Sequence, residues 1–97
     1  MDIGSVVYSK AGRDKGRYYL AVGISDKPEF VLIADGEIRK LEKPKLKKIK
    51  HLRDSGIVID KLKDKFVEKK PVHNAEIRSC LRVYNEKTAK DTDSSQA

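Results

Sequence analysis

The sequence predicts a mainly β fold, a small five-stranded antiparallel barrel or sandwich, followed by a short two-helix C-terminal appendage. Three observations carry this. Short runs of apolar and β-branched residues recur through the first half of the chain, with tight-turn signals between them. After Leu52 the apolar spacing changes from strand-like to helical. The 97 residues suffice for one small domain with a modest core.

The first strand is expected from Gly4 to Ser9, with Val6 and Tyr8 on one face and Val7 on the other. A hexapeptide from Ala11 to Gly16 follows. Its two glycines can take φ > 0 and so reverse the chain sharply. Tyr18 to Ile24 is rich in aromatic and branched residues and reads as a second strand, buried on both faces. Ser25-Asp26-Lys27-Pro28 is a turn, because Pro28 lacks an N–H and disfavours helix at Lys27. Phe30 to Ala34 is a third strand. Asp35-Gly36 then predicts a two-residue type I′ hairpin into a fourth strand, Glu37 to Leu41. Pro44 breaks the next stretch, and Ile49 to Leu52 supplies a fifth strand. A barrel this small fills its interior with side chains rather than a ligand.

Asp54-Ser55-Gly56 reads as a loop. Ile59, Leu62 and Phe66 form one helical face, ended by Lys69-Lys70-Pro71; Ile57-Val58-Ile59 is open to a strand reading instead. Asn74 suits an N-cap, and Glu76 sits where a helix dipole favours an anion. Ile77, Cys80, Leu81 and Tyr84 make a second stripe. Neither helix is stable alone at this length, so both should pack on the barrel. The expected division is a barrel over 1–53, a helical appendage over 54–87 and a disordered tail over 88–97.

The chain shows no enzyme signature. Gly12 to Gly16 lacks the Gly-Lys-Ser/Thr ending of a nucleotide-binding loop and precedes a strand. His51 and His73 have no spaced ligand partners, so no metal or cofactor is expected. Asp60 and Asp64, one turn apart among lysines, read as surface ion pairs. Cys80, the single cysteine, lies on an apolar stripe and reads as a buried, inert thiol. It permits no internal disulfide, which fits a reducing, cytoplasmic setting. No apolar run approaches a membrane span, and no long basic amphipathic helix argues for a membrane surface.

The surviving signal is cationic. Eight cations and one acid, Glu42, between residues 39 and 53 account for the whole net charge of +7. Lys40, Lys43, Lys45, Lys47, Lys48 and Lys50, with His51 beside them, form a stripe that attracts polyanions. Most cations of the 47–52 segment should face solvent. The hairpin tip adds Lys10, Arg13, Lys15 and Arg17 against Asp14, with Gly12 and Gly16 exposing backbone N–H groups to a phosphate. Lysine dominates the stripe, which favours point-charge contacts to phosphate over bidentate base reading. Tyr8, Tyr18 and Tyr19 lie near the loop, and any that faces outward could stack on an unpaired base.

Gly4-x-Val6-Val7-x-Ser9-Lys10-x-Gly12-Arg13-Asp14-Lys15-Gly16, with Val31-Leu32-Ile33-Ala34-Asp35-Gly36 and Lys47-Lys48-Ile49-Lys50-His51-Leu52, resembles a KOW-motif domain. More closely it resembles the fourteen-e type large-subunit ribosomal protein family of archaea and eukaryotes and its bacterial RNA-binding relatives. The resemblance covers residues 3–53, and the Asn74 to Arg78 segment is loosely similar to the helix that follows the barrel there. It implies an SH3-like barrel that binds ribosomal RNA through Lys10, Gly12, Arg13, Lys15, Gly16, Lys47, Lys48, Lys50 and His51. The expected partner is RNA, ribosomal by resemblance, bound by a chain monomeric when free and associated with the ribosome. KOW domains also serve as protein-interaction modules, which leaves ribosomal proteins or a transcription or translation complex as the alternative partner.

Overall fold

The structure, a computed structural model, describes residues 1–86 with their side chains and the backbone of the last helix on to Gln96. The tail expected to be disordered, 88–97, lies outside the fully described residues. The elements are β1 (Ser5–Ser9), β2 (Tyr18–Ile24), β3 (Phe30–Ala34), β4 (Lys45–Lys48), a 3-10 turn (Ile49–His51), β5 (Leu52–Val58), α1 (Asp60–Val67) and α2 (Asn74–Gln96). The five strands make one antiparallel sheet in the order β4-β3-β2-β1-β5. Its two edge strands are consecutive in sequence, joined only by the 3-10 turn, so the sheet bends back on itself. No ladder joins β4 to β5, and the expected barrel is open along that seam.

Strand alternation divides the core in two. Val7, Tyr19, Ala21, Val31, Ile33 and Leu52 fill the concave side. Val6 and Leu20 face the other way and bury Leu62 of α1 with Ile77 and Leu81 of α2. Ile59, Phe66, Cys80 and Tyr84 pack partly buried around that second cluster, as the two stripes require. The helices thus cover the convex face of the first two strands.

The second half of the sheet departs from expectation. Glu37 to Leu41 is not a strand. Asp35 Oδ1 accepts the N–H groups of Glu37 and Arg39 at 3.0 and 2.8 Å, and the Asp35 and Gly36 N–H groups donate to the Arg39 carbonyl. The chain closes on itself there, so no two-residue hairpin forms and the return strand starts only at Lys45. Ile49 to His51 is a 3-10 turn rather than a strand. Asp54-Ser55-Gly56 lies inside β5, which takes in Ile57 and Val58 and so settles the reading left open there. Between the pairs Ser5↔Val58 and Val7↔Asp54, β5 carries two extra residues, accommodated by Gly56 at φ +81° and by Ser55 Oγ donating to the Val6 carbonyl.

Asn74 starts α2, but its side chain does not cap it. Asn74 Oδ1 accepts the Leu41 N–H at 2.8 Å and Nδ2 donates to Glu42 at 2.9 Å. The helix start is held instead by Glu76, which accepts the His73 N–H at 2.9 Å. Asn74 therefore pins α2 to the β3–β4 loop. Gly36 permits the approach: a Cβ there would stand 2.2 Å from the Asn74 carbonyl oxygen.

Candidate nucleic-acid interface

The β1–β2 loop is closed by paired backbone bonds. Ser9 N–H donates to Arg17 O at 3.0 Å and Gly16 N–H to Ser9 O at 2.9 Å. Gly12 and Gly16 take φ +81° and +91°, the left-handed values this reversal needs. Asp14 does not sit at the tip in solvent. It is 4 % exposed and accepts from Arg39 Nε at 3.0 Å, with Lys47 Nζ at 3.8 Å and the Tyr19 hydroxyl at 3.5 Å. Burial, then the negative charges of Asp14 and Asp35, push the Tyr19 phenol up to about 12.

Lys47, an expected RNA contact in a segment whose cations should mostly face solvent, is instead 7 % exposed and donates to the Ala11 carbonyl at 2.7 Å. On β4 it alternates with Leu46 and Lys48, and its side of the strand is the one that meets the loop. Arg17 is also engaged, 3.3 Å from Asp35 and 3.5 Å from Glu37. These two expected contacts are therefore internal: Lys47 locks the loop onto β4, and Arg17 ties it to the β3–β4 loop. Both attractions arise because the loop's lone acid and the buried Asp35 need cations close by once water is excluded.

The same lock brings the two basic segments together. The Lys10 N–H donates to the His51 carbonyl at 2.9 Å, so the loop and the 3-10 turn share a backbone bond. Around this junction Lys10, Arg13, Lys15, Lys50 and Arg53 are exposed, and none has a carboxylate partner among the described residues. Lys48 is exposed and leans over the Phe30 ring at 5.9 Å. Lys40, Lys43 and Lys45, also exposed, sit apart on the β3–β4 loop and the start of β4, around an open concavity of about 430 Å³ with Ile38, Pro44 and Leu46. Three cations on or after α1 are paired with carboxylates: Lys63 with Asp2 at 2.7 Å, Lys65 with Glu76 and Lys70 with Glu68 at 2.9 Å.

His51 is half-buried. Burial first, then Lys50, Lys47, Lys48 and Lys10, hold its pKa below the ordinary histidine value, so the ring is neutral at neutral pH and offers a hydrogen bond rather than a charge. Of the tyrosines, Tyr19 is core, while Tyr8 and Tyr18 are half-buried on the helix side with ring centroids 5.1 Å apart.

Sequence reasoning missed Asp14, Arg39 and Arg53. The signal for the first was available: a lone acid among four cations in a glycine-bounded loop has more attraction inward than a lysine does. Among the described residues no group of three or more His, Cys, Asp or Glu side chains could hold a metal ion, and no helix is long and apolar enough to cross a membrane. No protein-family model matches the chain, and no curated protein matches it.

Proposed function

We propose that this chain is a non-enzymatic RNA-binding protein that docks on structured RNA through the glycine-bounded loop and the adjoining basic turn. The observation that carries the reading is the Lys10–His51 backbone bond, which sets the loop and the 3-10 turn side by side, with Lys10, Arg13, Lys15 and Lys50 lacking a carboxylate partner among the described residues. Unpaired ammonium and guanidinium groups clustered on one surface repel each other in the free protein. A polyanion relieves that repulsion and releases its counterions. Lys10, Arg13, Lys15 and Lys50 take phosphates, with the loop N–H groups near Gly12 as further donors, since the Gly16 N–H is used within the loop; Lys47 and Arg17 hold the loop in shape. The KOW resemblance of the same residues points to ribosomal RNA of the large subunit, and hence to a cytoplasmic, ribosome-associated protein. In-cell crosslinking with sequencing of the bound RNA tests this. Enrichment of large-subunit ribosomal fragments is expected, and recovery of no RNA above background contradicts it.

A second reading, a protein-interaction module on the transcription or translation machinery, has one observation in its favour. Ile38 and Leu46 are 57 % and 43 % exposed in the concavity ringed by Lys40, Lys43 and Lys45. RNA binding gives no reason for those two side chains to be apolar. Under this reading Ile38→Ser with Leu46→Ser abolishes partner binding while RNA affinity stays unchanged.

A further inference from the structure

We propose that the guanidinium of Arg53, laid on the ring of Tyr8, is a stacking shelf for an unpaired RNA base next to the phosphate-binding cations. The inference rests on the RNA reading above and names the kind of RNA: one that offers an unstacked nucleotide, not an unbroken duplex.

Arg53 Cζ lies 4.9 Å from the Tyr8 ring centroid. The two residues are cross-strand partners in the β1–β5 ladder, on the face opposite Leu52 and the concave core. Tyr8 is buttressed in turn. Tyr18 meets it at 5.1 Å and 61°, and Tyr84 of α2 meets Tyr18 at 5.8 Å. The row is fixed from the backbone side by the Tyr18 N–H, which donates to Asn85 Oδ1 at 2.9 Å. The ring beneath the guanidinium is therefore held in place, and Arg53 itself is an exposed residue.

A guanidinium is planar and weakly hydrated, so it can lie on a ring on one side and on a base on the other; an ammonium cannot. The distribution of cation types fits. The 39–53 run has two arginines among its eight cations. Arg39 is spent on Asp14. Arg53 alone of the two has no carboxylate partner among the described residues, and it is the one that sits on an aromatic ring. Its position also suits the task. The Lys10 N–H bonds to the carbonyl of His51, two residues from Arg53, so a phosphate on Lys10 or Lys50 places its own nucleotide beside the shelf. Bases that carry recognition in RNA are unpaired ones stacked on aromatic or arginine planes.

The test uses the full chain and two short RNA hairpins of equal length and phosphate count. One has a single bulged adenosine; in the other that nucleotide is abasic. Stacking on one shelf is worth roughly 5- to 150-fold in affinity, so the parent should prefer the bulged adenosine by a factor in that range. Arg53→Lys keeps the charge and loses the plane. It should bind both hairpins as the parent binds the abasic one, with an unchanged melting temperature. Tyr8→Phe keeps the ring and should keep the preference. Equal parent affinity for the two hairpins, or a preference that survives in Arg53→Lys, overturns the shelf while leaving the RNA reading intact. No binding of either hairpin overturns both.

Discussion

Replacing Asp14 by asparagine separates loop shape from loop charge. In the native protein the Asp14 carboxylate compensates Lys47, 7 % exposed, and Arg39. Asparagine keeps the size and removes the charge, leaving the Lys47 ammonium buried against the Ala11 carbonyl alone. Removing one partner of a buried ion pair costs about 3–5 kcal/mol. Arg39 is about a third exposed and can turn to water, which places the cost near the lower end, about 3 kcal/mol. For a domain of this size each kcal/mol lowers the melting temperature by about 4–8 °C, so a drop of roughly 12–24 °C is expected by circular dichroism. RNA affinity gives the sharper result. Asp14→Asn raises the net charge, so attraction by charge alone would tighten binding. A loop whose cations must be held in register predicts the opposite, weaker binding at a temperature where the variant remains folded. A melting temperature within 2 °C of the parent would refute the buried-pair argument, and tighter RNA binding would refute the register argument.

Four further outcomes follow from the same geometry. Gly36→Ala combines a left-handed backbone with a Cβ 2.2 Å from the Asn74 carbonyl, at about 1–2 kcal/mol for the first and about 1–3 for the second. Gly16→Ala meets nothing within 4 Å and pays only the first cost, so denaturant midpoints should fall further for Gly36→Ala. Because the Tyr19 pKa is raised above its ordinary value, its contribution to stability is complete below about pH 10 and is lost as pH rises through about 12; absorbance at 295 nm should show a late-ionising tyrosine that Tyr19→Phe removes. Glu76 is held below the usual carboxylate range chiefly by Lys65, so its contribution is present above the ordinary glutamate pKa and disappears as pH falls through the lowered value, a loss that Glu76→Gln should abolish in acid denaturation curves. His51 is neutral at pH 7.5, so His51→Gln should leave the dissociation constant for RNA within about twofold there.

The first three strands were legible in the sequence because their cores are continuous apolar runs bounded by turn residues, and both helical stripes were legible from their spacing. The β3–β4 connection was not. Asp35-Gly36 reads as a hairpin turn, and what overrides it is the Asp35 carboxylate folding back on Glu37 and Arg39, a local bond that a hydrophobic pattern does not register. β5 was hidden because Arg53, Asp54, Ser55 and Gly56 are exposed on an edge strand with a bulge, so they carry no burial pattern and look like a loop. In the candidate site, the loop and the basic turn were each visible as charge. Their junction was not, since a Lys10–His51 backbone bond leaves no mark on composition. Lys47 was misplaced for a related reason: its burial depends on Asp14, thirty-odd residues away in sequence, and a lysine run gives no hint of which member turns inward.

The central claim is that the junction surface, and not net charge in general, binds RNA. Two triple variants with the same loss of charge test it: Lys10→Gln, Arg13→Gln and Lys15→Gln on the loop, against Lys61→Gln, Lys69→Gln and Lys70→Gln on and after α1. Dissociation constants for one structured RNA are measured by fluorescence anisotropy across a range of salt concentrations. The loop variant should lose affinity, and its slope of log K against log salt should flatten by about 2–3 for three phosphate contacts. The helix variant should keep a slope close to the parent's. Equal flattening in both, or a loop variant that keeps the parent slope, would contradict the account.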